Sequence, residues 1–261
     1  MRIAVITGAS SGIGREFLKQ LSANCKVDEI WAIARSKERL AALSAQTEIP
    51  VRPISMDLSK EQSLAEYTAL LQKENPEIAL LVNSSGFGKF EETTSIPLAE
   101  SQNMIDLNCK ALLHFSVVSL PYMKKGCGII NVASVAAFQP IPYINVYAAT
   151  KAFVLSFSRA LKEEQKARGV RVLAVCPFWT KTAFFNRAVV EEQGKEPVVK
   201  YYAAMYEPEK IVRRAYRDYA RGKGVSKYGF IARAQAALCK ILPHSLIMRV
   251  WMKQQKLKPK K

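Results

Sequence analysis

This sequence of 261 residues has few of the side chains that bind metals, and it has no long apolar run. It contains two His and five scattered Cys without a Cys-x-x-Cys pair, so we expect no zinc site and no other metal. The thiols should be free in a reducing cytoplasm. No segment is apolar for long enough to cross a bilayer and no secretory signal is visible, so cytoplasmic localisation is expected.

Acidic residues are scarce in one part of the chain only. Residues 210–261 contain 15 Lys and Arg but a single acid, Asp218, whereas residues 1–209 contain 24 basic and 21 acidic residues. The formal net charge of +17 therefore belongs to the C-terminal end. A functional interpretation of the charge has to concern that segment.

Apolar residues make up 49% of the chain, which is enough for a sizeable core. Short β-branched runs alternate with helical patterns and predict an α/β protein, a Rossmann-type doubly wound parallel sheet flanked by helices. Strands are predicted at 2–7, 29–34, 51–56, 78–82, 128–132, 170–175 and 224–228, and helices at 61–73, 145–168 and 208–220. Residues 1–229 are predicted to form one domain, with 183–206 as a substrate lid and 230–261 as a basic amphipathic helical extension.

A glycine-rich turn follows the first strand directly and precedes an amphipathic helix. Gly8 allows a tight turn, Gly12 lets a pyrophosphate approach the backbone, and Gly14 lets the helix pack close to the strand. The helix N-terminus offers unpaired N–H groups to phosphates. This stretch predicts a dinucleotide site that includes Gly8, Ser10, Ser11, Gly12, Ile13 and Gly14.

The second strand ends in Arg35, Ser36 and Lys37. An acidic residue at this place would accept a hydrogen bond from the ribose of the nucleotide and repel a 2′-phosphate. Arg35 would instead attract the phosphate, with Ser36 and Lys37 assisting. The sequence therefore predicts NADP(H) rather than NAD(H).

Tyr147 and Lys151 are four residues apart in a predicted helix, so their side chains share one face. An ammonium near a phenol favours the phenolate, and Lys151 is expected to lower the pKa of Tyr147. A tyrosine tuned in this way can exchange a proton with a carbonyl or alcohol oxygen.

Together these motifs resemble the classical short-chain dehydrogenase/reductase family over roughly residues 1–190. The resemblance rests on Thr7, the three glycines, Asp57, the turn at 83–86, Asn108, Ser134 and the Tyr147/Lys151 pair. It implies hydride transfer between a nicotinamide and a carbonyl or secondary alcohol, with Tyr147 as the acid/base. It also implies a homo-oligomer, either a dimer or a tetramer.

The same resemblance implies roles for individual residues. Ser134, Tyr147 and Lys151 would be the catalytic triad, and Asn108 would anchor a water that supplies protons to Lys151. Asp57 and Leu58 would meet the adenine, Asn83 would steady the sheet centre, and Thr182 would hold the nicotinamide carboxamide. Pro177 and Thr180 would complete the cofactor site.

The substrate is predicted to be hydrophobic, since aromatic residues surround the expected site: Phe138, Phe178, Trp179, Phe184 and Phe185. Packing of the lid against the body would explain the same residues. Pro177 is followed by Phe178 where the family usually has glycine, so the pocket floor should differ from that of its relatives.

Three interpretations of residues 230–261 remain open. They could contact a membrane surface, they could form a dimer contact or cover the pocket, or they could bind an acidic partner such as acyl carrier protein or nonspecific nucleic acid. No specific nucleic acid is expected. The alternative to an enzyme is a non-catalytic NADPH-binding regulator on the same fold, which would not need Ser134, Tyr147 and Lys151.

Overall fold

A computed structural model of the chain describes residues 1–189 and 196–257, and it contains a seven-stranded parallel sheet. The strand order is β3-β2-β1-β4-β5-β6-β7. The strands are β1 (Arg2–Thr7), β2 (Glu29–Ala34), β3 (Val51–Ser55), β4 (Glu77–Asn83), β5 (Gly128–Val132), β6 (Arg171–Val175) and β7 (Val225–Ser226). The predicted doubly wound sheet is confirmed. The order reverses between β1 and β4, which leaves a crevice at their carboxyl ends.

Helices cover both faces of the sheet. They are α1 (Gly12–Lys19), α2 (Lys37–Ala41), α3 (Glu61–Glu74), α4 (Leu98–Ile105), α5 (Ala111–Ser119), α6 (Asn145–Glu164), α7 (Phe185–Ala188), α8 (Pro208–Ala220), α9 (Phe230–Ile241) and α10 (His244–Gln254). One apolar cluster lies between the sheet and α1 and α8, and a second lies between the sheet and α3 and α5. Apolar burial on both faces explains why the central strands are continuous apolar runs.

Two predicted elements end more than one residue away from their end in the structure. Helix α6 ends at Glu164 rather than 168, because a turn follows it and leads to Gly169, which has a φ of +68°. Strand β7 has two residues rather than five, because the chain bends away at Gly229, with a φ of +92°. The buried Asp218 accepts a hydrogen bond from Ser226 at 2.9 Å and fixes this short strand to α8.

Helices α4 and α5 are joined by a π-helical turn, Asp106–Lys110. In this turn the Ala111 N–H bonds to the Asp106 carbonyl, one residue further back than in an α-helix. The sequence predicted a helical segment around Asn108 but not the wider turn. The turn leaves the Asn108 side chain buried beneath the sheet's carboxyl edge.

The predicted basic amphipathic extension is confirmed as two helices, α9 and α10, and residues 230–257 are called the C-terminal hairpin below. Helix α9 packs on the turn Val135–Phe138. In α10, Trp251 Nε1 donates to the Pro142 carbonyl at 3.0 Å, and its ring is 7% exposed. Within the described ranges, none of the helices combines the length and apolarity that crossing a bilayer takes.

Candidate active site

A cleft of about 1150 Å³ runs along the carboxyl edge of the sheet. One end is lined by the turn after β1 and by the ends of β2 and β3. The other end is lined by the segment after β6, by α6 and by the C-terminal hairpin. We call these the nucleotide end and the substrate end. In open parallel sheets, ligands bind in the crevice outside the carboxyl ends of the strands.

The glycine turn at the nucleotide end is held by close backbone contacts. Gly8 has a φ of +67°, a conformation that an L side chain rarely adopts, and a Cβ on Gly14 would lie 2.3 Å from the Gly8 carbonyl oxygen. The Thr7 hydroxyl accepts hydrogen bonds from the N–H groups of Ser84 and Ser85, which ties this turn to the end of β4. The Ser11 side chain caps no N–H of α1, so the helix N-terminus keeps its donors for a ligand.

Most of the predicted nucleotide-binding residues line this end of the cleft: Gly8, Ser10, Ser11, Gly12, Ile13, Arg35, Ser36, Asp57 and Leu58. Gly14 does not, because it packs against Gly8 behind the turn. Lys37 does not line the cleft either, and Arg39 lies there instead. Ser36 caps α2 by accepting a hydrogen bond from the Arg39 N–H at 3.3 Å, which puts Arg39 one turn beyond Arg35.

Asp57 is fixed in orientation at the end of β3. Its Oδ1 accepts hydrogen bonds from the N–H and the hydroxyl of Ser59, at 3.1 and 2.8 Å. Burial acts to raise the pKa of Asp57, but these hydrogen bonds and the nearby Arg35 and Lys60 outweigh it and lower the pKa. The carboxylate is therefore ionised and ready to accept a hydrogen bond at neutral pH.

The three predicted catalytic side chains line the middle of the cleft. Ser134 lies close enough to the phenol of Tyr147 to lower its pKa, and its Oγ accepts a hydrogen bond from the Ala136 N–H at 3.1 Å. Lys151 is buried, and its Nζ donates to the Val132 carbonyl at 2.8 Å and lies 5.7 Å from the centre of the Tyr147 ring. The helix α6 and the end of β5 thus bring the three groups together.

The expectation that Lys151 lowers the pKa of Tyr147 is wrong for this structure. Burial raises the pKa of Tyr147 to about 12, and the hydrogen bond from Ser134 offsets only part of this rise. Burial also lowers the pKa of Lys151 to about 8. The lysine is bonded to a carbonyl rather than to the phenol, and both charged forms are disfavoured away from water. Tyr147 is therefore a neutral acid at pH 7.

Asn108 and Asn83 lie behind the cleft rather than on its surface. Asn108 Nδ2 donates to the Phe87 carbonyl and to the Thr150 hydroxyl, and its Oδ1 accepts from the Phe87 N–H. This anchors the loop after β4 to α6. Asn83 donates to Asn131 at 2.9 Å and to Ser116 at 3.0 Å, in the polar centre of the sheet.

The segment after β6 crosses the middle of the cleft. Pro177, Thr180 and Thr182 all line it, as predicted for cofactor contacts. Thr180 is buried and donates to the Phe178 carbonyl at 2.8 Å, so its hydroxyl is engaged within the segment. The Thr182 methyl group packs on the glycine turn, 3.3 Å from where a Cβ on Gly12 would lie.

Aromatic rings surround the substrate end. Phe178, Trp179, Phe184 and Phe185 line it, around Phe90, whose ring centre lies 5.9 Å from that of Trp179 and 6.3 Å from that of Tyr147. Phe138 does not line the cleft, contrary to expectation. Its ring lies against the charged groups of Arg159 and Lys227 instead.

Several cleft residues were missed in the sequence: Arg39, Phe90, Gln139, Arg187 and Trp251. Arg39 had a usable signal, because a helix capped by Ser36 would place it near Arg35. The others had none, since they belong to no motif and reach the cleft through contacts distant in sequence. Gln139, for example, is held by Gln235 and Cys239 of α9.

Comparisons with known proteins identify the family of this chain. The sequence profile of the short chain dehydrogenase family matches residues 2–193. Serine 3-dehydrogenase of Rhizobium radiobacter is 35% identical over 185 residues, which cover 69% of this chain and 72% of the relative. The very-long-chain 3-oxoacyl-CoA reductase of Bos taurus is 30% identical over 210 residues, covering 76% and 66%.

A solved structure is similar over nearly the whole chain. A short-chain dehydrogenase from Sphingobium yanoikuyae, in complex with NADPH, has a TM-score of 0.76 and 26% identity, with 93% of this chain and 96% of that chain covered. The chain belongs to the short chain dehydrogenase family. As such it is an oxidoreductase that acts on carbonyl or alcohol groups with a nicotinamide cofactor.

Proposed function

We propose that this protein is an NADP(H)-dependent reductase of an apolar ketone, with Tyr147 as the proton donor. The observation that carries the proposal is the joint placement of Ser134, Tyr147 and Lys151 between a glycine turn and an aromatic pocket in one cleft. Bound NADPH would supply the hydride. The remaining chemistry is the positioning of a carbonyl and the delivery of one proton.

Tyr147 and Ser134 serve the substrate oxygen. Tyr147 donates its phenolic proton to the oxygen as negative charge develops there, and Ser134 donates a hydrogen bond to the same oxygen. The pKa of Tyr147, raised to about 12 by burial, keeps the proton in place at pH 7. A protonated tyrosine suits reduction of a ketone better than oxidation of an alcohol, which would need a base.

Lys151 and Asn108 support this proton transfer. Lys151 is proposed to hold the ribose of the nicotinamide and to return a proton to Tyr147. A Cβ on Gly86 would lie 3.4 Å from Lys151 Nζ and 2.8 Å from Asn108 Oδ1, so the two side chains meet at the Gly86 backbone. Asn108 is hydrogen-bonded to Phe87 and Thr150 and is proposed to position this loop beside Lys151.

The residues at the nucleotide end fit NADP(H). The α1 N-terminus carries no acid in its first turn, and the glycine turn lines the cleft beside it, so both favour a pyrophosphate. Arg35 and Arg39 would pair with a 2′-phosphate. Glu38 lines the same end and opposes this preference, but two guanidinium groups outweigh one carboxylate. The relative from Sphingobium yanoikuyae binds NADPH.

An apolar substrate is proposed because aromatic and aliphatic side chains dominate the substrate end. The named activities of the relatives do not decide this, since one acts on serine and the other on very-long-chain 3-oxoacyl-CoA. Residues 183–206 are proposed as a lid. Within it, Val189 forms a bridge to Phe90, and residues 190–195 lie outside the described ranges.

We also propose a cytoplasmic homo-oligomer, with residues 1–229 as its core domain. Neighbouring helices α5 and α6 expose Leu113, Val117 and Phe153, which are more than a third exposed and stand apart from the cleft. An isologous contact between two copies would bury this face. Sedimentation of the wild type and of Val117→Asp would test it: dissociation is expected, and an unchanged oligomer would argue against this face.

The test of the reductase is NADPH oxidation with a panel of ketones of increasing apolar size, with NADH in parallel. Tyr147→Phe should bind NADPH normally but lose turnover by about 10³-fold, because only the proton donor is removed. Turnover that survives in Tyr147→Phe would exclude the proposed role. NADPH binding without reduction of any ketone would favour a non-catalytic regulator, and a preference for NADH would overturn the role of the two arginines.

A further inference from the structure

The C-terminal hairpin exposes six large apolar side chains. Ile241 is 80% exposed and Phe230 is 77% exposed, and four others are exposed by more than a third: Ile231, Leu238, Leu246 and Val250. Phe230, Leu238 and Ile241 recur at helical spacing on α9. Six such side chains within 21 residues give this segment an unusually large exposed apolar area, which we call the apolar surface, and such areas are typical of interaction sites.

This apolar surface is continuous with the cleft. Phe230, Ile231 and Leu238 of α9 line its mouth, and so do Leu246 and Val250 of α10. Ile241, the most exposed of the six, does not line the cleft. The inner end of the same wall is anchored by Trp251 and by Gln255, which accepts from the N–H groups of Lys200 and Tyr201. The surface therefore stands on a fixed scaffold.

Basic side chains flank the apolar surface. They are Arg233, Lys240, Arg249, Lys253 and Lys256, and no acid occurs between residues 230 and 261. None of the five forms an ion pair within the described residues. An amphipathic helix with cations beside a broad apolar face is typical of segments that lie in a membrane interface.

We propose that the C-terminal hairpin docks on an anionic phospholipid surface and that the cleft opens toward it, so that the substrate enters from the lipid. The apolar side chains would lie among the upper acyl chains, and the basic side chains would meet the headgroups. The proposal that the hairpin docks on lipid depends only on the residues of the hairpin. The proposal that the substrate enters from the lipid rests on the proposed reductase function.

The charge pattern argues against other occupants. A second copy placed on this surface would bring at least five unpaired cations of each chain together, which is repulsive. An acidic protein would satisfy the cations but would not need the highly exposed Ile241 and Phe230. A lipid surface with anionic headgroups matches both features at once.

Docking can be measured without any turnover. The full-length protein is floated with vesicles of phosphatidylcholine alone or with about 30% phosphatidylglycerol. We expect binding to the anionic vesicles only, and a decrease as salt is raised. Ile241→Ser should weaken binding about tenfold, because it removes an apolar side chain from the lipid. Lys240→Gln should weaken it about fivefold, since each cation near an anionic surface contributes about that factor.

Matched controls lie elsewhere on the protein. Leu98 is 72% exposed at the start of α4 and does not line the cleft, so Leu98→Ser should bind vesicles like the wild type. Lys19→Gln, on α1, controls for loss of one charge. Ile241→Ser should also keep its turnover with a water-soluble ketone, but lose the gain that anionic vesicles give with a lipid-dissolved ketone.

Three results would overturn docking: no vesicle binding, equal binding to neutral vesicles, or equal losses in Ile241→Ser and Leu98→Ser. A change of oligomeric state in Ile241→Ser without vesicle binding would assign the surface to a second copy. Vesicle binding with no ketone reduction would support docking and argue against the reductase. Ketone reduction without vesicle binding would support the reductase and overturn docking.

Discussion

The nucleotide end of the cleft comes from short turns that each follow a strand, whereas the substrate end combines segments far apart in the chain. Gly8, Arg35 and Asp57 each lie within two residues of the end of their strand. The substrate end needs Phe90, Phe185 and Trp251 to meet, although more than 160 residues separate the first from the last. The first end is specified locally, and the second depends on the hairpin docking correctly.

Of the variants considered, a substitution in the glycine turn should have the largest effect, and it should act on the nucleotide end. The Cβ of Gly14→Ala would lie 2.3 Å from the Gly8 carbonyl oxygen, so β1 and α1 must separate. We expect the free energy of unfolding to fall by about 3 kcal/mol and NADPH binding to be lost. Urea unfolding and NADPH fluorescence would measure both.

Gly222→Ala is the control for this variant. Gly222 has a φ of +67°, and no atom of residues 1–189 or 196–257 lies within 4 Å of an added Cβ, so only backbone strain is introduced. A loss of about 1 kcal/mol with intact NADPH binding is expected. Equal effects of the two substitutions would mean that close packing of α1 does not define the nucleotide end.

Removing the anchor of the hairpin should affect the substrate end alone. Trp251→Ala abolishes the hydrogen bond to Pro142 and the ring contacts with Ile141 and Ile144. We expect KM for an apolar ketone to rise by at least tenfold, while Kd for NADPH stays unchanged. Trp251→Phe keeps most of the packing and should be intermediate. A parallel loss of NADPH affinity would show that the two ends are coupled.

A smaller change tests the nucleotide end itself. Arg39→Gln removes one of the two guanidinium groups beside Ser36 without removing its helical position. Affinity for NADPH should fall about tenfold, as for loss of a charge-assisted hydrogen bond, and affinity for NADH should not change. Isothermal titration with both nucleotides measures this. Equal losses for the two would indicate a general effect on α2 rather than recognition of a phosphate.

The smallest expected effect is the pH dependence of turnover, which reports on Lys151 in the middle of the cleft, between the two ends. Burial lowers the pKa of Lys151 to about 8, so this lysine loses its proton well below the range of an ordinary lysine. The value of kcat/KM for NADPH reports the free protein and should fall as pH rises through about 8. Lys151→Arg should shift the fall upward. A flat profile across this range would remove Lys151 from the proton path.

The sequence was sufficient for the sheet and for most of the nucleotide end. Apolar runs predicted β1, β2, β4, β5 and β6, since central parallel strands are buried on both faces, whereas the partly exposed β3 and β7 carry weaker patterns. Gly8 and Arg35 follow their strands directly. Arg39 was missed because its position depends on where α2 begins. Lys37 was predicted to assist Arg35 with the 2′-phosphate because it is close to Arg35 in sequence, but its side chain does not line the cleft.

For the substrate end, the sequence predicted the aromatic character of the lining but not which residues form it. The aromatic residues of 178–185 were recognised, but Phe90 and Trp251 carry no local signal of where they pack. Phe138 was assigned to the pocket, although its ring faces Arg159 and Lys227. The pKa of Tyr147 was expected in the wrong direction, because spacing shows that Lys151 shares its face but not that the Lys151 Nζ bonds to the Val132 carbonyl instead.

The π turn at Asp106–Lys110 has a consequence for how this chain tolerates insertions and deletions. A π turn holds one residue more than an α-helical turn, so the extra residue is taken up within the turn and α4 and α5 keep nearly the phase of one continuous α-helix. Deleting one residue between 106 and 110 would leave a regular helix that still spans the same distance. Met104 and Phe115 would stay in the interior, but the wide turn that places the Asn108 amide against the Phe87 backbone would be lost. The extra residue thus serves the Asn108 contact rather than the packing of the two helices, and a deletion that preserves the fold would still release the loop after β4.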